Sequence, residues 1–181
     1  MALDGLPFGA WLLPVGELLA RGGAVMWAIF AATALLWALI LERYLFHWLA
    51  WPRLVQALYQ QWQARAERAS WYARQVRGEL VARAAGALRR RLGLVRALTA
   101  LLPLLGLLGT VSGMSHTFQV MAQFGTGNAR GMAEGISQAL LTTLAGLVGT
   151  LSGLYFSHHL DHLAERRTAA LAGELALEEG R

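Results

Sequence analysis

Residues 106–114 read GLLGTVSGM and lie inside Ala97–Phe124, a run with no Asp, Glu, Lys or Arg. The hydroxyls and glycines in that run come first, because a threonine hydroxyl both donates and accepts a hydrogen bond without carrying charge. Where water is scarce, such a group can help solvate an acid or an ion. A second set stands at ALLTT, where Thr142 and Thr143 follow Gln138. Gly106, Thr110, Gly113 and Thr117 are spaced four, three and four, which predicts one helical face. Thr142, Gly146, Gly149, Gly153 and Ser157 predict a second face, with Gln138 and Thr143 beside it. Gly109–Gly113 and Gly149–Gly153 are both GxxxG, the spacing by which membrane helices approach closely. Two readings stay open on pattern alone: tight helix packing, or hydroxyls lining a polar lumen. A threonine bonded to its own i−4 carbonyl serves the first as well as the second.

The remaining chemistry-bearing residues are fewer. Glu134 stands where the third apolar run opens, and a carboxylate there favours a helix N-terminus. His116 lies near the polar face of the second run, where a hydrogen-bonded packing role suits it. His158, Asp161 and His162 have i, i+3 and i, i+4 spacing, with His159 adjacent. That spacing fits a metal, but histidines at a membrane exit more often sit in the interface, and no metal site is expected. There is no nucleophile–base pair, phosphate loop or convincing ligand set, so neither an enzyme nor a cofactor site is expected. Pro103, one turn before Gly106, predicts a kink.

The elements that must position these residues follow from composition. The chain of 181 residues is 56% hydrophobic and 15% charged, which argues against an ordinary soluble domain. Three uncharged runs, Ala24–Leu41, Ala97–Phe124 and Gly135–Ser157, are long enough to cross a bilayer. With no cysteine, disulfides and thiolate sites are excluded. The start, MALDGLPFGA, lacks the basic region of a cleaved signal peptide, so it is expected to be retained. All basic residues are arginines, and those between the first and second runs, from Arg53 to Arg96, meet only Glu67 and Glu79 as acidic neighbours. The positive-inside rule puts that segment in the cytoplasm and the GTGNARG link outside. The arginines are read as this topology signal and not as a nucleic-acid surface, since charge alone carries little specificity. Tyr44, Trp48 and Trp51 form an aromatic belt beside Pro52, which can bend the chain. From Leu54 to Leu94 apolar residues recur at helical spacing, among them Val76, Leu80, Ala84 and Leu88. The expectation is an all-α integral membrane protein. It has an outer N-terminal segment (1–23), spans at 24–46, 97–124 and 134–157, and a basic helical segment (47–96). A short outer link (125–133) and a C-terminal helix on the inner side (158–181) complete it.

GLLGTVSGMSHTFQVM followed by ARGMAEGISQALLTTLAGLVGTLSGLYFS resembles the second and third membrane helices of the MotA/TolQ/ExbB proton-channel family. The likeness leans to its ExbB members and is close over about residues 92–165. The resemblance implies a homopentameric ring in the bacterial inner membrane, its N-terminus and link periplasmic and its C-terminus cytoplasmic. It implies a lumen lined by the second and third helices. It also implies an ExbD-like single-span partner whose membrane aspartate takes up and releases protons, and a TonB-like protein that receives the work. A TolQ-like or other stator-type motor, or a structural scaffold, is the alternative. The family's two pore threonines fall on Thr110 and Thr143. Where members often carry a glutamate, this chain has Gln138, so the resemblance leaves the proton work to the partner's aspartate.

Overall fold

The computed structural model of the chain describes residues 7–65 and 70–175, with side chains described from residue 16 onward. The first six residues of the N-terminus expected to be retained, Glu67 and Arg68 of the basic segment, and residues 176–181 of the expected C-terminal helix lie outside the described residues. The described chain is helical: α1 (Pro7–Leu45), a π-helical turn (Phe46–Ala50), α2 (Trp51–Gln63), α3 (Trp71–Arg89), α4 (Leu92–Phe124) and α5 (Ala129–Glu174). Three stretches, Gly16–Gln63, Trp71–Phe124 and Ala129–Glu174, are long and apolar enough to cross a membrane. The contacts divide the chain into two units, one holding the residues up to Leu36 with Ala97–Gly153, the other Trp37–Arg96 with the residues from Leu154 on.

In the first unit the chain turns sharply between α4 and α5. Gly125 has φ 70°, a conformation that suits glycine, and its N–H returns to the Met121 carbonyl at 2.9 Å. Asn128 then caps α5, its Oδ1 accepting from the Gly131 N–H at 3.1 Å. The helix therefore starts at Ala129, and Glu134 lies more than a turn inside it, exposed, so Asn128 and not Glu134 closes the N-terminus. Partners fall along α4 as they rise along α5. Gly113 faces Ala139, Gly109 faces Thr142, Gly106 faces Thr143, and Thr99 faces Gly153, which defines an antiparallel hairpin. α1 runs the other way against α5, with Gly23 by Gln138, Thr33 by Gly149 and Leu36 by Gly153. α1 breaks at Gly23 (φ 66°, ψ −162°), next to the expected start of the first span. α4 runs unbroken through Pro103. The expected break falls in α1 because glycine alone tolerates that backbone, while a proline in a long membrane helix can be absorbed by its neighbours.

In the second unit Pro52 sits in the first turn of α2, just after the π-helical turn. A proline cannot return an N–H to the preceding turn, and the wider turn gives its ring room. The amphipathic stretch expected from Leu54 to Leu94 divides into α2 and α3, the latter capped by Ser70, whose Oγ accepts from the Ala73 N–H at 3.2 Å. Leu58 and Trp62 of α2 and Ala73, Leu80 and Ala84 of α3 bury a common core with Leu171 and Leu175 at the end of the chain's last helix. As far as Glu174 the tail thus continues α5, and its Leu171 and the following Leu175 are buried in this core.

Candidate functional site on the α4–α5 hairpin

The hairpin is a seam of small residues. On α4, Thr99, Leu102, Gly106, Gly109, Gly113, Thr117 and Val120 are buried; on α5, Gly135, Ala139, Thr142, Gly146, Gly149 and Gly153 are. The close approach is real at the backbone. A Cβ on Gly113 would lie 2.6 Å from the Gly135 carbonyl oxygen, and one on Gly146 would lie 2.7 Å from that of Leu102. A Cβ on Gly109 would collide with the Thr142 side chain, one on Gly153 would press on Thr99 and Leu36, and one on Gly149 would meet Thr33 and Leu102. Gly106 is looser, 3.3 Å from the Thr143 Cα.

Within this seam the hydroxyls differ. Thr142 is fully buried and donates to its own helix, with Gln138 and Ala139 carbonyls both at 3.0 Å. Thr117 likewise bonds the Gly113 carbonyl at 3.1 Å. Thr143 is half-buried and has the Ala139 carbonyl at 3.0 Å and, across the hairpin, the Gly106 carbonyl at 3.4 Å. Thr110 is not on the buried stripe with Gly106, Gly113 and Thr117. The seam drifts through Gly109, which leaves Thr110 at its margin, bonded to the Leu107 carbonyl at 2.7 Å. A helix repeats every 3.6 residues, so a strip of steps four, three and four can follow either neighbour, and packing chose the one without a side chain.

Thr110 instead borders an open groove of about 630 Å³ on α4 that also includes Val111, Met114, Ser115, Phe118, Gln119 and Ala122. The groove is a mainly apolar surface with three short polar groups. Gln138 turns away from it: its Nε2 lies 3.4 Å from the Gly22 carbonyl, at the break in α1. That break frees carbonyls inside an apolar helix, and an amide donor there lowers the cost. The pairing of Gln138 with Gly22 escaped sequence reading because nothing in either segment names the other.

The other candidates stand apart. His116 is exposed on α4. His158 and His162 bring their Nε2 atoms within 3.0 Å, His162 Nδ1 lies 3.5 Å from Glu165, and His159 stacks on Tyr44 and Tyr155. Asp161 accepts from Arg96 at 2.6 Å. Among the described residues no three His, Asp or Glu side chains converge as a metal site would require.

A charge-poor helical hairpin sealed by glycines, in a chain with three helices long and apolar enough to cross a membrane, is the architecture of a multi-pass membrane protein. Residues 52–172 match the model of the MotA/TolQ/ExbB proton channel family, and the chain belongs to that family. It is similar to two ExbB-like biopolymer transport proteins of Synechocystis sp. One is 41% identical over 71 residues (38% of this chain, 34% of that protein); the other is 38% identical over 96 residues (50% and 38%). An ExbB homologue of Methanothermobacter thermautotrophicus is 43% identical over 58 residues, 32% of this chain and 20% of that protein. The matched stretches span less than two fifths of the length of these relatives.

Proposed function

We propose that this chain is an inner-membrane, proton-conducting motor subunit that works as a homopentamer around an ExbD-like single-span partner. In this reading the partner's membrane aspartate carries the proton. A TonB-like protein receives the work for outer-membrane transport. The basic segment between the first two spans and the C-terminus face the cytoplasm, and the link at residues 125–128 faces the periplasm.

The observation that carries the reading is Thr110. It is a hydroxyl on the margin of an apolar groove, in a helix of membrane length, and among the described residues its one hydrogen-bond partner is the Leu107 carbonyl. A carboxyl entering the bilayer loses hydration, and an uncharged hydroxyl returns part of it. Thr143, which reaches toward the Gly106 carbonyl, supplies the second such group. Gln138 holds α1 against α5 behind them. The scaffold reading has one observation on its side, since Thr117 and Thr142 are satisfied within their own helices.

The test is proton flux through the complex that co-purifies with the chain, reconstituted in liposomes. Thr110→Val and Thr143→Val keep shape and remove the hydroxyl. A hydrogen bond to a charged group is worth about 1.5–3 kcal/mol, so flux should fall about tenfold or more with the assembly intact. Wild-type flux in both variants sinks the pathway role and leaves a scaffold.

A further inference from the structure

A second polar site lies where the end of α1 meets the turn between α3 and α4. Glu42, Arg43, Phe46, Ala87, Arg90 and Arg91 line a cavity of about 260 Å³ there. Three arginines and one carboxylate thus line it, and each carboxylate oxygen already has an arginine: Oε1 accepts from Arg43 at 3.1 Å and Oε2 accepts from Arg91. Arg43 is 4% exposed and gives Nη1 to the carbonyls of Ala87 (3.4 Å) and Arg90 (2.9 Å). Its Nε is buried without a hydrogen-bond partner. Arg89 and Arg91 have acidic partners in Glu165 and Glu42, whereas Arg90, between them, makes no ion pair among the described residues. Buried guanidinium charge with too few anions is costly, and a bidentate anion is the partner its fork fits.

We propose that this cavity is a phosphate-group site, and that the phosphate is that of an anionic lipid headgroup. The residues set the depth. Arg43 comes two residues after the uncharged run Ala24–Leu41, and Arg91 comes six before the run that begins at Ala97. Both therefore fall at the level where headgroups meet hydrocarbon, and basic pockets beside membrane helices at that level take anionic headgroups. Close in sequence to these residues, Leu41 and Leu45 on α1 and Leu94 on α4 are more than half exposed, apolar side chains suited to acyl chains rather than water. Phe46 and Ala87 form the apolar part of the wall. Arg43 and Arg91 organise the site, and Arg90 is the donor without an ion pair among the described residues.

The experiment uses the full chain in its assembled form, purified in a neutral detergent and stripped of lipid. Mixed micelles containing phosphatidylglycerol or phosphatidylcholine, and inorganic phosphate alone, are titrated while thermal stability and lipid adducts by native mass spectrometry are read. Phosphatidylglycerol should raise the melting temperature and appear as a retained adduct, and phosphatidylcholine should do neither. Arg90→Gln removes one charged donor without breaking an ion pair among the described residues, and should lower phosphatidylglycerol affinity about fivefold, the worth of one arginine near a membrane surface. Arg53→Gln, an exposed arginine of α2, should leave it unchanged. Stabilisation by inorganic phosphate that Arg90→Gln abolishes, with no preference for phosphatidylglycerol, supports the phosphate site and assigns it to a soluble source. Equal binding of the two lipids, or phosphatidylglycerol binding that Arg90→Gln and Arg91→Gln leave intact, overturns the proposal.

Discussion

The α4–α5 seam and the helix ends of the second unit solve one problem by opposite means. Each must satisfy backbone carbonyls while packing helices densely. In the seam, glycines remove the side chain and let backbones meet, and hydroxyls return to carbonyls three or four residues back, as Thr117, Thr142 and Thr150 do. At the helix ends, arginines bridge great sequence separations. Arg43 caps the last turn of α3 across 44 and 47 residues, and Arg77 caps the last turn of α5 through the carbonyls of Ala172 and Leu175 across 95 and 98. Arg167 donates to the His47 carbonyl in the π-helical turn. Short side chains act locally and leave their mark in spacing. Long ones act at a distance, and their spacing says nothing of their partners.

The strongest way to break this contrast is to add bulk to the seam. A side chain on Gly113 or Gly146 meets backbone atoms, Gly135 O at 2.6 Å or Leu102 O at 2.7 Å, which cannot swing aside. Gly113→Leu and Gly146→Leu should each cost about 1–3 kcal/mol or more, read as a lowered midpoint of thermal unfolding in detergent. Gly86, in α3, has nothing within 4 Å of an added Cβ. Gly86→Ala should gain up to about 1 kcal/mol from helix propensity. If the leucine variants melt with the wild type, the seam is looser than its geometry.

Next in size is the cap on α3. Arg43→Met keeps the length of the side chain and removes its charge-assisted bonds, leaving the Ala87 and Arg90 carbonyls without their donor. The expected loss is roughly 2 kcal/mol, with faster amide exchange in the last turn of α3. Arg43→Lys should recover only part of it, because an ammonium has no planar fork. Unchanged exchange at the end of α3 would show that the cap contributes nothing.

What was legible in the sequence follows the same division. The three long helices, the antiparallel hairpin and the small-residue faces were readable, because uncharged length and helical spacing are properties of contiguous residues. The caps by Arg43 and Arg77 were not: eleven arginines between the first two apolar runs read as charge, and nothing in their order marks which ones are buried. The break at Gly23 and its bond to Gln138 were hidden for the same reason, since two glycines beside a run of alanine and valine announce no partner. Thr110 was misplaced by one residue around the helix, as spacing fixes a face only to within its neighbours.

The smallest expected effect sharpens the comparison most. Thr142 is fully buried, yet both carbonyls it touches belong to its own helix and already receive backbone N–H groups. Removing its hydroxyl leaves no orphan, so Thr142→Val should cost only about 0.5–1.5 kcal/mol. Thr143 is less buried, but its hydroxyl also faces Gly106 on the other helix. If hydroxyls of the seam act only locally, Thr142→Val should keep near-wild-type proton flux while Thr143→Val does not. Burial then ranks the two threonines in the wrong order for function, and the direction of each hydroxyl ranks them in the right one. Equal loss of flux in both variants would mean that the seam itself, and not its margin, carries the proton path.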